Sequence, residues 1–250
     1  MEIAGKAAVV TGGSAGIGRA IVLRLARDGV RVLIADVDER GGLELKREIE
    51  ALGSCASVIC ADVAEGTDVE AMIRAAETTY GGVDILVNNA GFAIDPPFPD
   101  AETVEWRRLL DVNLVAVVLA TQAAISAMRT RGGGAVVNVS SVAGLGLAPH
   151  AAPDYAAAKA AVVRLTAALA PLAEEDIRVN CVCPDWVDTP AVQRSLAVMT
   201  QEERAAIVPP ELVPAEDIAD VVVRLIRDDS LAGRVLTCPA GGEWVLLPVD

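Results

Sequence analysis

Histidine is almost missing from this sequence: His150 stands alone. Rings of other kinds are also scarce, with three Trp, two Tyr and two Phe. That is too few for the stacked platforms that single-stranded nucleic acid needs. Positive charge is short as well. Lys and Arg number 21 against 35 Asp and Glu, a net charge of −14, and that field repels a phosphate backbone. Nucleic-acid binding is excluded on both counts. The five cysteines (Cys55, Cys60, Cys181, Cys183, Cys238) are odd in number and sit mostly in apolar runs. They read as packed thiols in a reducing compartment, with no disulfide framework and no metal site. Cys181 and Cys183 flank Val182, which puts both on one face of a buried strand. Long hydrophobic runs are lacking too. The apolar uncharged stretch 112–128 contains Asn113, Thr121, Gln122 and Ser126, too short and polar for a membrane span. The first residues lead directly into an apolar run at 7–10, without the pattern of a signal peptide. We expect a soluble, cytoplasmic protein with no membrane partner.

What is present is aliphatic. Hydrophobic residues make up 53% of the chain, enough for a large core, and Ala, Val and Leu dominate. Short apolar runs alternate with amphipathic ones along the whole length. Strands are expected at 7–10, 30–35, 56–61, 83–87, 135–139, 177–182 and 234–238. Helices are expected at 39–52, 68–80, 102–129, 155–173 and 215–227, with another after the glycines that follow residue 10. Near-continuous apolar strands separated by helices predict an α/β fold, one doubly wound parallel sheet of about seven strands. No linker or repeat interrupts the pattern, so 1–250 reads as one domain. Residues 190–214 read as an irregular lid with a short helix near 202–207.

The first strand runs into Thr11-Gly12-Gly13-Ser14-Ala15-Gly16-Ile17-Gly18. A glycine turn from strand to helix offers backbone amides to an anion and lets a pyrophosphate come close. The stretch also matches G-x-S-x-G, the nucleophile elbow of hydrolases. That reading gives no role to Gly18, nor to Asp36 at the end of the next strand, and the only downstream histidine lies in a loop. Asp36 suits the hydroxyls of an adenosine ribose. Thr11, Asp36, Asp62, Asn89, Ser141 and Pro184 all follow strand ends, the edge where open parallel sheets bind ligands.

A second constellation lies between Ser140 and Lys159. It holds two adjacent hydroxyls, His150, and a Tyr155–Lys159 pair one helical turn apart. An ammonium beside a phenol favours the phenolate, which would make Tyr155 a general base near neutral pH.

In order and spacing, Thr11-Gly12-x-x-x-Gly16-x-Gly18, Asp62, Asn88-Asn89-Ala90-Gly91, Asn113, Ser141 and Tyr155-x-x-x-Lys159 resemble the sequence blocks of the short-chain dehydrogenase/reductase family, over almost the whole chain. The resemblance implies a Rossmann-type, NAD-dependent oxidoreductase acting on a small alcohol or ketone, commonly as a homo-oligomer (dimer or tetramer). It implies that Gly12, Ser14, Gly16, Ile17 and Gly18 line the phosphates and adenosine. Asp36 would hold the ribose and Asp62-Val63 contact adenine, with Asn89, Ala90 and Gly91 flanking the same half. Pro184, Val187 and Thr189 would lie at the nicotinamide. Tyr155 would exchange the proton, Lys159 would assist it and hold the second ribose, and Ser141 would bind the substrate oxygen. Asn113 would hold a water linking Lys159 to solvent. A non-catalytic sensor or scaffold of the same fold is the rival reading.

The chain also departs from the family. Ser141 precedes Tyr155 by 14 residues, where 13 is usual, so one extra residue falls in the 145–154 loop. The usual Pro-Gly is Pro184-Asp185, where Asp can tolerate a left-handed turn and would favour an oxidised, cationic cofactor. Pro171 interrupts the helix that starts near Tyr155. No basic residue stands at Ala15 or Val37 to pair with a 2′-phosphate, which predicts NAD over NADP. Ile94, Leu147, His150, Trp186 and Met199 are candidate pocket walls, suggesting an apolar substrate.

Overall fold

A computed structural model describes residues 1–248; the last two residues of the expected domain lie outside the described range. The chain winds as β1 (Ala7–Thr11), α1 (Gly16–Arg27), β2 (Arg31–Asp36), α2 (Glu39–Ala51), β3 (Ala56–Cys60), α3 (Gly66–Tyr80) and β4 (Ile85–Asn88). Next come α4 (Thr103–Leu110), a π turn (Asp111–Val115), α5 (Ala116–Arg131), β5 (Gly134–Val139), α6 (Pro153–Ala168) and β6 (Ile177–Pro184). A short strand β7 (Val187–Asp188), helices α7 (Pro190–Val198) and α8 (Gln201–Ile207), and its partner β8 (Val213–Pro214) lead to α9 (Ala215–Arg227), β9 (Val235–Cys238) and β10 (Val245–Leu246).

The sheet order is β10-β9-β6-β5-β4-β1-β2-β3, parallel except for β10. It therefore has eight strands, one more than expected, because a two-residue antiparallel strand closes the edge. Strand alternation builds both core layers. Ala8 and Val10 of β1 face the layer of α1 and α9, whereas Ala7 and Val9 face that of α3 and α5. Chain order reverses between β1 and β4, so a crevice opens at their carboxyl ends.

Three local differences have physical causes. The expected 102–129 helix is split by the π turn. An 18-residue window within Thr103–Arg131 has a membrane-like mean hydropathy of 1.8, yet Ala116, Ala120, Ala124 and Met128 are buried against the sheet layer. The expected 155–173 helix stops at Ala168 and tightens into a 3₁₀ turn, Ala170–Glu175, because Pro171 has no amide to donate. The 190–214 segment is more regular than expected. Pro190 opens α7 with its φ already set, and the Thr189 hydroxyl caps it by accepting from Val192 N at 3.2 Å.

Candidate active site

A cleft of about 890 Å³ opens at the carboxyl edge and is lined from Gly12 at one end to Tyr155 and Lys159 at the other. A shallower depression of about 460 Å³ between α1 and α9 holds none of the edge residues. The glycine turn is closed tightly on itself. Gly12 and Gly16 have φ of +61° and +53°, and a Cβ on Gly18 would lie 2.0 Å from the Gly12 carbonyl oxygen. No side chain caps α1, so its first-turn amides are left for a ligand; Gly16 and Ile17 line the cleft. Asn89 ties β4 to this turn, donating to the carbonyls of Thr11 at 2.9 Å and Gly12 at 3.0 Å.

Asp36 ends β2 and faces the same turn. Its Oδ2 accepts from Ser14 N at 2.9 Å and Ser14 Oγ at 2.6 Å, while Oδ1 accepts from Asp38 N at 3.0 Å. Asp62 accepts from Ala64 N at 3.0 Å and from the Arg108 guanidinium. Burial opposes its ionisation, but those bonds outweigh burial and hold the carboxyl below its ordinary value.

At the other end, Ser141 caps a 3₁₀ turn (Val142–Gly144) by accepting from Ala143 N at 3.1 Å. Gly144 lets this turn press on α6, because a Cβ there would lie 2.6 Å from the Lys159 carbonyl carbon. Farther out in this loop, 146–151 is exposed and Gly146 has φ of +68°. The Lys159 ammonium lies 5.5 Å from the centre of the Tyr155 ring and donates to Val139 O at 3.1 Å. Burial lowers Lys159 to about 8, only partly opposed by the nearby Cys181 and Cys183. Burial pushes the Tyr155 phenol up, partly offset by the Ser141 hydroxyl. The lowering expected from Lys159 is thus not supplied by the chain alone: the ammonium faces the ring and spends a proton on Val139.

Asn113 is fully buried in the π turn, and its Nδ2 donates to Phe92 O at 2.8 Å and Leu109 O at 3.0 Å. Its Oδ1 has no partner. A Cβ on Gly91 would lie 2.6 Å from that oxygen and 3.2 Å from Lys159 Nζ, so the three groups converge on one small polar space.

The remaining expected residues are scattered. Ala90, Gly91, Val63 and Thr189 line the cleft, whereas Pro184 and Val187 are buried beside it. Ile94, Trp186 and Met199 are half-buried outside the lining, Leu147 is fully exposed, and His150 is bound up with Ala152 in its own exposed turn. Asp185 needs no left-handed backbone, since Asp176 is the only non-glycine residue with positive φ among the described residues. Its carboxylate accepts from Trp186 N at 2.9 Å and Ala240 N at 3.5 Å, and it does not line the cleft. Sequence reasoning passed over Arg108, Val112 and Arg194, which do line it. Periodicity marks such residues only as helix positions, and the cleft is set by how the helices dock.

The short chain dehydrogenase family model matches residues 6–199. The 3beta-hydroxysteroid dehydrogenase 1 of Eggerthella lenta is 39% identical, covering 99% of this chain and 96% of the relative. The cyclohexanol dehydrogenase of an Acinetobacter species is 36% identical, with 90% and 89% covered. A solved 7 alpha-hydroxysteroid dehydrogenase, complexed with NADH and 7-oxo glycochenodeoxycholic acid, superposes with a TM-score of 0.88 at 30% identity, covering 96% of this chain and 95% of that one.

Proposed function

The chain belongs to the short-chain dehydrogenase/reductase family of oxidoreductases, and we propose that it moves a hydride between NAD and an apolar secondary alcohol or ketone. The carrying observation is that one cleft joins the glycine turn and Asp36 to the half-buried Tyr155 and the buried Lys159.

The residues fit a dinucleotide. The cleft volume suits a large ligand, Gly12, Gly18 and Gly91 leave no room for side chains, and α1 offers uncapped amides. Asp36 keeps one lone pair, on Oδ1, for a ribose hydroxyl. A 2′-phosphate there would meet the carboxylates of Asp36 and Asp38, which also line the cleft, and Val37 supplies no cation. This favours NAD over NADP, and a solved relative holds NADH. Gly12, Ser14, Gly16, Ile17 and Gly18 would cradle the phosphates, with Asp62, Val63, Asn89, Ala90 and Gly91 around the adenosine half. Pro184, Val187 and Thr189 would stand at the nicotinamide end.

When bound, the cofactor supplies or accepts the hydride. Tyr155 holds the proton that leaves or joins the substrate oxygen, and Ser141 hydrogen-bonds that oxygen. Lys159 holds the nearby ribose and keeps a cation beside the phenolate. Burial alone opposes that phenolate, so the positive charge of the oxidised nicotinamide has to complete the lowering. The unpartnered Asn113 Oδ1 and Lys159 Nζ share a space suited to a relay water. Proton transfer by a placed side chain contributes about 10²–10⁴-fold.

The substrate reading rests on apolar side chains left exposed: Phe92 in the cleft lining, Phe98 and Leu147 on loops, and Val198 and Ile207 in the 190–214 segment. Relatives named for hydroxysteroids and cyclohexanol point the same way. The 190–214 segment acts as a lid over the cleft, and the protein works in the cytoplasm as a homo-oligomer. A panel of secondary alcohols, cyclic and steroidal included, tests the reading by NADH formation. Turnover is expected with NAD⁺, far less with NADP⁺, and none in Tyr155→Phe. Unchanged turnover in that variant, or tighter binding of NADPH than NADH, refutes it.

A further inference from the structure

Arg108 reaches the cleft from α4, whose start is fixed by a reciprocal capping box between Glu102 and Glu105. Its Nη2 donates to Asp62 Oδ2, across 46 residues of sequence, and both side chains line the cleft. Asp62 is also held from its own loop: its Oδ1 accepts from Ala64 N at 3.0 Å, and its backbone N–H donates to Asp68 Oδ2 at 3.0 Å. The carboxylate is therefore clamped at both oxygens. Each carboxylate oxygen carries two lone pairs, so one remains on each for a ligand.

The position of the clamp indicates which part of a ligand it meets. Asp36 pairs with Cys60 in the β2–β3 register, so Asp62 lies just past the end of the neighbouring strand, beside the expected ribose site. Val37, Val63 and Val112 line the cleft around it and provide flat apolar walls. A planar base seated between such walls presents its edge to Asp62. An ionised, acceptor-only carboxylate selects an edge that donates. Adenine has an exocyclic amine there; hypoxanthine has a carbonyl oxygen in its place.

We propose that Arg108 is a positioning residue for base recognition, aiming the Asp62 carboxylate at the exocyclic amine of adenine so that the preference for adenine over hypoxanthine depends on it. This rests on the dinucleotide reading of the cleft. A purely structural Arg108, tying α4 to the β3 loop, would affect every dinucleotide alike. Arg108 and Asp62 are partly exposed, at 41% and 32% of side-chain surface, so the tie itself adds little to stability.

Equilibrium titrations of NADH and of its hypoxanthine analogue test the proposal, following cofactor fluorescence on the wild type, Arg108→Gln and Arg108→Lys, each with a thermal melt. The wild type should prefer NADH by about tenfold, the loss of one charge-assisted hydrogen bond. Arg108→Gln should bind NADH about tenfold more weakly and the analogue within about twofold of wild type. Arg108→Lys, which keeps a point charge without the planar fork, should fall between and decides the matter if the Gln variant does not fold. Equal weakening of both cofactors, equal binding of both by the wild type, or an unchanged preference in the variants overturns the proposal. Failure of the wild type to bind either dinucleotide would instead overturn the proposed function.

Discussion

Replacing Lys159 should abolish turnover and yet stabilise the fold at neutral pH. Its side chain is 4% exposed, and burial lowers its pKa from 10.5 to about 8. Each pH unit of displacement is worth 1.36 kcal/mol, so keeping the ammonium buried costs about 3 kcal/mol near pH 7. The sign follows from proton counting. Between pH 8 and 10.5 the folded chain has released this proton and the unfolded chain has not, so stability rises with pH through that window. Lys159→Met removes the dependence altogether. It also removes the bond to Val139 O, worth about 1 kcal/mol. The variant should therefore exceed the wild type by about 2 kcal/mol at pH 7, and the advantage should vanish or reverse by pH 10.5. Other groups that titrate above pH 9, among them Cys238, are present in both proteins and largely cancel in the difference. Urea unfolding of the pair at several pH values measures it. A stability difference that stays flat from pH 7 to 10.5 would refute the claim that a buried cation is being carried.

Three further outcomes follow from the same geometry. Asp36→Ala removes the acceptor for Ser14 N, Ser14 Oγ and Asp38 N, and should weaken NADH binding at least about tenfold while leaving NADPH binding unchanged or improved; competitive titration of the two reads the ratio, and an unchanged ratio removes Asp36 from cofactor choice. Asn138→Ala breaks the buried bonds to Asn88 at 2.8 Å and Thr166 at 2.9 Å, which link β4, β5 and α6; two net hydrogen bonds plus a small cavity amount to about 2–4 kcal/mol in urea midpoints. Arg178→Met leaves the carbonyls of Leu225 and Asp228 at the end of α9 without their buried guanidinium donor, at a cost of about 3 kcal/mol or more; a loss below about 1 kcal/mol would mean that water replaces it.

Much of this architecture could be read because its rules are local. Strand burial is nearly complete in β1, β4, β5 and β6, so their apolar runs stand out from any flanking sequence. Helix α9 carries a polar face and an apolar face, and its expected and observed bounds, Ala215 to Arg227, coincide. The site end was legible for a related reason: Gly12, Gly18 and Gly91 are places where the backbone admits no Cβ, and that constraint is written as a residue type. What could not be read depends on docking. Helix α7 buries only Leu196, so its pattern gives no apolar stripe. His150, distinctive as a residue, sits in an exposed turn where its ring bonds to the Ala152 backbone, while the unremarkable Arg108 enters the cleft because α4 docks there.

The residues that break local rules are also the ones gathered at the site. Asn113 occupies a π turn, an irregularity that widens the helix at the point where its side chain must replace an amide as donor to Leu109 O. The same side chain keeps a buried oxygen unpartnered, and next to it Lys159 keeps a charge that burial disfavours. Neither feature helps the chain to fold. Lys159 could be replaced by an apolar residue of similar size at a gain in stability, whereas Asn113 offsets its idle oxygen with its two bonds to Phe92 O and Leu109 O. Their coincidence around one glycine, at the edge of the sheet that also carries the glycine turn, is what packing does not explain and the proposed proton transfer does.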